Sequence, residues 1–375
     1  METIRFDDFI RLNRGFDLPD YKIEKGEYPV ITSTNIKAFH KEYKVEGPMV
    51  VTGRSGSLGK VQYIEGRCWP LNTSLYVKDY KGNFPRYVYY FLQMMHLEQY
   101  NAGVGVPTLN QNHLHSLKIK IHEKKLQQKI ASILSAYDRL IENNTRRIRL
   151  LEQMAENLSK EWFVRFRFPE HEKVEMVNGL PKGWERTVAS SIIDVMSGGT
   201  PKTDHPEFYG GNIPFYTPKD ANDSIFVYNT LTNITEEGLT HCNSQLYPRN
   251  TLIITARGTV GKLNLLAVPM AMNQSCFALQ FKQKENPFFL YYAIRTEIAK
   301  LKKIANGGVF DTIVVKSFDH IKLIIPTRSL MDNFNLKVYS ILEQVRNLSY
   351  QNQLLTRQRD LLLPRLMSGK LEVKS

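Results

Sequence analysis

From about Leu126 to Phe163 the apolar residues return at seven-residue spacing. Ile130, Tyr137, Asn144, Leu151 and Leu158 form one row, Ile133, Leu140 and Met154 the next, with Leu134, Ile141, Ile148 and Ala155 beside it. The spacing recurs near the end of the chain, where Val338, Val345, Asn352 and Leu366 form a row flanked by Ile341, Leu348, Leu355 and Leu362. A seam sustained over this many heptads predicts two long helices, each burying one face in a coiled coil. A helix of about 38 residues spans roughly 57 Å at 1.5 Å per residue. Each seam needs a cover, and the chain offers each helix one matching partner, the other. Asn144 and Asn352 fall at the same seam position, and two readings stand side by side. A buried asparagine fixes register at some cost in stability, or both mark a wet stretch of the seam.

The pattern before each helix is shorter in period and occurs twice. Thr52 to Val61 reads T-G-R-S-G-S-L-G-K-V, and Thr255 to Leu263 reads T-A-R-G-T-V-G-K-L. Arg54 is matched with Arg257, Gly59 with Gly261 and Lys60 with Lys262, with one residue fewer in the second copy. Asn72-Thr73-Ser74-Leu75-Tyr76 lines up with Asn273-Gln274-Ser275-Cys276-Phe277, and Pro85 to Tyr90 with Pro287 to Tyr292. Leu117-Lys118-Ile119 lies opposite Ile321-Lys322-Leu323. Matches in order at a nearly constant offset indicate a domain duplication. In each copy β-like runs (Pro48 to Thr52, Thr251 to Thr255) precede an aromatic helical stretch, a glycine loop (Gly103 and Gly105; Gly307 and Gly308), an alternating strand and a long helix.

The predicted fold is therefore α+β: two similar globular domains separated by two long antiparallel α-helices, related by a pseudo-two-fold. The expected boundaries are 1–122 for the first domain, 123–165 for the central helix, 166–183 for a linker, 184–326 for the second domain and 327–375 for the C-terminal helix. The copies differ most at their beginnings, so the plan is shared and the surfaces are not. DNA half-sites presented to two-fold-related domains lie roughly 34–36 Å apart, or a multiple of it. A rod of the predicted length can hold two domains at such a separation.

Charge turns this geometry towards a polyanion. Lys plus Arg total 50 against 37 for Asp plus Glu, a formal net charge of +13, which favours nucleic acid as a partner. Cys68, Cys242 and Cys276 are scattered and lack C-x-x-C spacing, so neither a disulfide framework nor a zinc site is indicated. The first ten residues lack a basic-then-apolar signal, and no apolar run approaches the length of a membrane span. A cytoplasmic protein without a membrane partner is expected.

Several short motifs fail as catalytic signatures. Thr52 to Val61 mimics a phosphate loop, but five residues separate Gly53 from Gly59 and Lys60 is followed by Val61. Gly103-Val104-Gly105 has Thr108 where a dinucleotide fold needs its third glycine. Asn286-Pro287-Phe288-Phe289 lacks the second proline of an adenine-methyltransferase motif and reads as a helix start. His113 and His115 have no cysteine or carboxylate at ligand spacing. No catalytic residue and no metal site is assigned.

The candidates for DNA contact are Arg54, Lys60, Arg257 and Lys262 on the two glycine-rich hairpins, and Tyr216 and Lys219 in a Pro-bounded loop together with Thr217. Arginine suits guanine or phosphate, and lysine phosphate. Asn72 and Asn273 either read adenine edges or cap a turn. The aromatics at Tyr87 to Phe91 and Phe288 to Tyr292 are assigned to core. Arg139, Arg146, Arg147 and Arg149 form a solvated helix face or line a partner.

At these residues the chain resembles the specificity subunits of type I restriction–modification enzymes. The resemblance rests on Pro181-Lys182-Gly183-Trp184-Glu185, Gly198-Gly199-Thr200-Pro201, Gly211-Asn212-Ile213-Pro214 through Asp220, and the T-A-R-G-T-V-G segment. It rests also on Leu151 to Phe163 and, as its most specific wording, on Leu361-Leu362-Leu363-Pro364-Arg365-Leu366-Met367-Ser368-Gly369. It implies a non-catalytic subunit that binds double-stranded DNA at a bipartite, asymmetric target, one half per domain. It implies two methyltransferase subunits as partners and restriction–translocase subunits beside them. S-adenosylmethionine, ATP and Mg are then expected on the partners and no cofactor on this chain. A self-contained DNA-modifying enzyme and a stand-alone DNA-binding regulator are the competing classes, and the missing methyl-donor motif argues against the first.

Overall fold

The computed structural model describes residues 1–283, 285–304 and 312–373; Gly307 and Gly308 lie outside them. The chain divides into two compact units, Met1–Asn143 with Asn352–Ser375, and Asn144–Gln351. Each unit takes one α+β body and one half of each long helix.

In the first unit the elements run β1 (Glu2–Arg5), α1 (Phe6–Phe9), β2 (Arg11–Arg14), β3 (Lys25–Ile31), β4 (Ile36–His40), β5 (Met49–Gly53), β6 (Val61–Ile64), β7 (Trp69–Pro70), β8 (Ser74–Asp79), α2 (Pro85–Met94), α3 (Gln111–Ser116), β9 (Lys118–Ile121) and α4 (Lys124–Phe163). One sheet has the order β2-β8-β5-β6, another β4-β3-β7, and β1 pairs with β9. β5 is buried along its whole length, lying between β8 and β6 in the sheet. Pro85 opens α2, where its missing N–H costs nothing. That helix buries Tyr87, Val88, Tyr90 and Leu92 against α1 and the sheet.

The second unit repeats the plan. It contains β10 (Met176–Val177), β11 (Leu180–Pro181), β12 (Glu185–Val188), α5 (Ala189–Ile192), β13 (Ile193–Ser197), β14 (Tyr209–Tyr216), β15 (Phe226–Val227), β16 (Asn233–Ile234), α6 (Glu236–Thr240), β17 (Leu252–Thr255), β18 (Leu263–Leu266), β19 (Ala271–Met272), β20 (Cys276–Phe281), α7 (Pro287–Ile304), β21 (Lys322–Ile325) and α8 (Arg328–Met367). Its sheets are β13-β20-β17-β18-β15 and β16-β14-β19, and β12 pairs with β21. Even the parallel contact recurs: β3 with β7, and β14 with β19. The segment expected as a linker is folded. Phe166 and Phe168 pack their rings on Trp184 at 5.4 and 5.2 Å. β10 and β11 form a hairpin through Asn178-Gly179, both at positive φ, the turn that two-residue hairpins favour.

Within each unit the helix halves pack antiparallel. In the first, Arg359 Nη1 donates to Asp138 Oδ1 at 2.8 Å, and Asn352 Nδ2 to the Ile141 carbonyl at 3.4 Å. Leu366 and Met367 share a core with Ile130, Ala131 and Leu134. In the second, Asn144 Nδ2 donates to Gln351 Oε1 at 2.9 Å, and Trp162 and Phe163 meet the ring of Phe334 at 5.8 and 4.8 Å. The rows turned inward are Ile130-Tyr137-Asn144-Leu151-Leu158 and Leu134-Ile141-Ile148-Ala155-Trp162, each residue buried or half-buried. The row Ile133, Leu140 and Met154 is corrected to a solvent face, being 36, 49 and 57% exposed. A seam alternates steps of three and four residues, and 133-140-154 lies one step off it. Arg359 fills the seam position between Asn352 and Leu366, neutralised by Asp138. α8 ends at Met367 rather than at 375, two residues before Gly369 at φ +72.

Phe334→Ala is expected to cost about 3–5 kcal/mol in denaturant unfolding, whereas Leu140→Ala stays within about 0.5 kcal/mol. Equal costs would show that the seam has been assigned to the wrong rows. His115 Nε2 accepts the Leu12 N–H at 3.0 Å and His122 Nδ1 lies 3.0 Å from the Tyr87 hydroxyl, and burial holds both imidazoles below their ordinary value. The unfolded chain therefore binds more protons, so stability falls as pH drops below about 6.5 and levels off below the folded values. A chain carrying His115→Gln and His122→Gln should lose less stability between about pH 7 and 5.5 than the parent; an equal loss counts against the assignment.

Candidate nucleic-acid interface

The two glycine-rich hairpins superpose by hydrogen-bond register with one change from the sequence match. Gly56 and Gly258 both have positive φ, as do Gly59 and Gly261, and Lys60 follows as Lys262 does. These pairs, and Pro85 with Pro287, share an offset of 202. The strand ladders keep it: Val51 pairs with Tyr76 as Ile253 does with Ala278, and Thr52 with Val61 as Ile254 does with Leu263. Arg54 therefore corresponds to Ala256, and Arg257 to Ser55. Likewise Asn72 corresponds to Gln274 rather than Asn273. The hairpins are equal in length, and the apparent deletion is a one-residue slip. The shared G-x-x-G-K spacing was the signal that could have revealed it.

The slip changes what the arginines do. Arg54 is half-buried and its Nη1 donates to the Asn72 carbonyl at 3.2 Å, so it braces a turn. Arg257 is exposed at the hairpin tip, and Lys60 is exposed beyond its own tip. Lys262 is ion-paired with Asp223, whose carboxyl that bond holds below the usual range.

In the second body the loop after β14 meets this hairpin. Thr259 Oγ1 donates to the Pro218 carbonyl at 3.3 Å. Asp220, missed in the sequence, organises the loop. Its Oδ2 accepts from Thr217 N at 2.8 Å and Thr217 Oγ1 at 2.7 Å, and its Oδ1 accepts from Leu231 N at 2.7 Å. Lys219 thereby stands exposed on a braced turn beside Arg257's hairpin. Tyr216 is corrected: it ends β14, is fully buried, and its hydroxyl donates to Asn264 Oδ1 at 2.8 Å. Burial pushes that hydroxyl well above its ordinary value. A side chain so placed holds the loop's base and does not touch a ligand.

Asn273 Oδ1 caps the turn by accepting from Ser275 N at 3.1 Å. The α2 and α7 aromatics Tyr87, Tyr90, Phe288, Phe289, Tyr291 and Tyr292 are core. Cys68 and Cys276 are buried thiols pushed up to about 12 by desolvation, too weakly ionised for nucleophilic or metal chemistry. Among the described residues no cluster of His, Cys, Asp and Glu forms a metal site, and no helix is long and apolar enough to cross a membrane.

The family model described as the type I restriction modification DNA specificity domain matches residues 1–153 and 181–356. The type I restriction enzyme HindI specificity subunit of Haemophilus influenzae is 27% identical over 328 residues, covering 71% of each chain. The MjaIX specificity subunit of Methanocaldococcus jannaschii is 26% identical over 378 residues, covering 96% of this chain and 86% of its own. The crystal structure of a type I system S subunit from M. genitalium shares the fold with a TM-score of 0.68 at 17% identity, covering 100% of this chain and 96% of its own.

Removing the acid that holds Lys262 should strengthen contact with duplex DNA. Asp223→Asn is expected to raise non-specific affinity severalfold at low salt and to steepen the salt dependence. Lys219→Ala is expected to reduce the log–log salt slope by about one. An unchanged slope in both variants would remove this face from the interface.

Proposed function

Because the chain belongs to the family of type I restriction–modification DNA specificity domains, we propose that it recognises a bipartite, asymmetric duplex target, one half per body, with the helices setting the unread gap. The observation that carries this reading is the repeated plan itself. Two bodies of one topology each present a hairpin with an exposed cation, and each draws both long helices into its core. A lysine or exposed arginine on a glycine-rich tip suits phosphate positioning, while the divergent loops around it supply base contacts. The chain's role is choice of sequence, not catalysis. Two methyltransferase subunits dock on it and transfer a methyl group from S-adenosylmethionine to adenine N6, and ATP- and Mg-dependent translocase–nuclease subunits join for restriction. It works in the cytoplasm, against chromosomal and incoming DNA.

Purified alone, the chain is expected to transfer no methyl group to duplex DNA, and co-expression with its methyltransferase should restore sequence-specific methylation. Robust transfer by the chain alone would defeat the reading. Adding or removing a few residues in register in both helix seams should alter the tolerated gap while the bases read at each end stay the same. Exchanging residues 184–326 for a relative's should change one half of the target; a change in both halves would end the idea of independent recognition.

A further inference from the structure

Beside the cationic hairpins, one arrangement occurs in both bodies. In the first, Asn72 on the turn from β7 to β8 donates its side-chain amide to the Asp17 carboxylate, on the segment leaving β2. In the second, the Thr200 hydroxyl, on the segment leaving β13, bonds to the side-chain carbonyl of Gln274, on the turn from β19 to β20. The positions correspond. Asn72 and Gln274 share the common offset, and Gly15 and Gly198 stand two residues before Asp17 and Thr200.

Those glycines bring the side chains together. A Cβ on Gly15 would lie 2.2 Å from the Leu71 carbonyl oxygen, and one on Gly198 would lie 2.3 Å from that of Met272. Only a glycine lets the leaving segment rest directly on the turn. The turns are held on their other side as well. Arg54 N donates to the Thr73 carbonyl at 2.9 Å, and Ala256 N to that of Ser275 at 2.8 Å. Each couple is thus fixed from below and open above: Asp17, Thr200 and Gln274 are exposed, and Asn72 is half-buried.

We propose that Asp17–Asn72 and Thr200–Gln274 are equivalent base-reading couples, each deciding the base preferred at one position of its half-site. The proposal rests on DNA recognition by both bodies. A side-chain amide offers one acceptor and two donors, the set that matches adenine N6 and N7 in the major groove. A carboxylate beside it only accepts. Asp17 therefore favours an edge that presents an exocyclic amine, adenine N6 or cytosine N4, and disfavours guanine and thymine, whose O6 and O4 are acceptors. Arg14 lies 3.4 Å from the Asp17 carboxylate and pairs with it. Thr200 both donates and accepts, so the second couple lacks this exclusion.

The test selects randomised duplex DNA with the full-length chain in the assembly purified from its host, and sequences what is retained. The parent is expected to enrich adenine or cytosine over guanine and thymine at one position of one half-site, by about 5- to 100-fold. Asp17→Asn should bring that ratio to within about twofold and leave the rest of the motif intact. Asp17→Thr with Asn72→Gln should give the first half-site a different preference at that position, and Thr200→Asp with Gln274→Asn should impose the amine preference in the other half. Motifs unchanged in all variants, or a uniform loss of affinity for every sequence at unchanged melting temperature, overturn the couples. A parent that enriches no motif overturns the underlying reading of DNA recognition, and is seen before any variant is made.

Discussion

The seam of the two long helices is the constraint on which the rest depends, because neither α+β body closes its core without it. Leu366 and Met367, from the end of the chain, pack with Phe6, Phe9 and Tyr87 from its beginning. Trp162, Phe334, Val338, Leu342 and Val345 enter the core built on α7 and its sheet. Each such side chain is worth about 1.5–3 kcal/mol on burial, so a body cut from its helix halves would expose a large part of its core. The helices are structural members of both bodies as well as a connection between them in the chain.

On this frame the sheets act as a platform, and the chemistry sits in loops braced against them. Asp220 spends both oxygens on the loop that carries Lys219, and Arg54 spends its charge on the turn that carries Asn72. A side chain that must meet a base edge to within a fraction of an ångström needs such bracing, since looseness there is a direct loss of discrimination. The buried Tyr216 hydroxyl and the glycines at 15 and 198 belong to the same provision: they fix the backbone of the loops beside the cationic hairpins.

Much of this was legible in the sequence, and the failures have physical causes. Heptad spacing located both helices, and the repeat exposed the duplication, because burial periodicity and glycine turns are local signals. The row Ile133, Leu140 and Met154 misled because apolar residues one step off a seam keep the seven-residue period while pointing to solvent. Arg54 and Arg257 looked equivalent because identity of residue type outweighed identity of backbone position. One residue of slip reverses the side on which a strand-end side chain emerges, which only the pairing register reveals. Tyr216 lay between prolines and looked like loop, yet it pairs in parallel with Met272, a contact between segments far apart in sequence. Asp17 lay in no motif, and Thr200, Asp220 and Gln274 lay inside matched stretches without any sign of what their side chains touch.

The seam also distinguishes its own partner from a copy of itself. If Asn144 and Asn352 mark equivalent places in α4 and α8, Asp138 corresponds to Arg346 and Arg359 to Leu151. The first unit joins Asp138 to Arg359, whereas in the second Arg346 stacks over the Phe226 ring at 4.5 Å and pairs with Glu343 at 3.0 Å. Two copies of α4 laid antiparallel in this alignment would set Asp138 against Leu151 instead of Arg359. A partly buried carboxylate would lose its cation at each of two symmetric places and be left with the Tyr90 hydroxyl as a partner. The polar positions along the two seams are what distinguish α4 from α8.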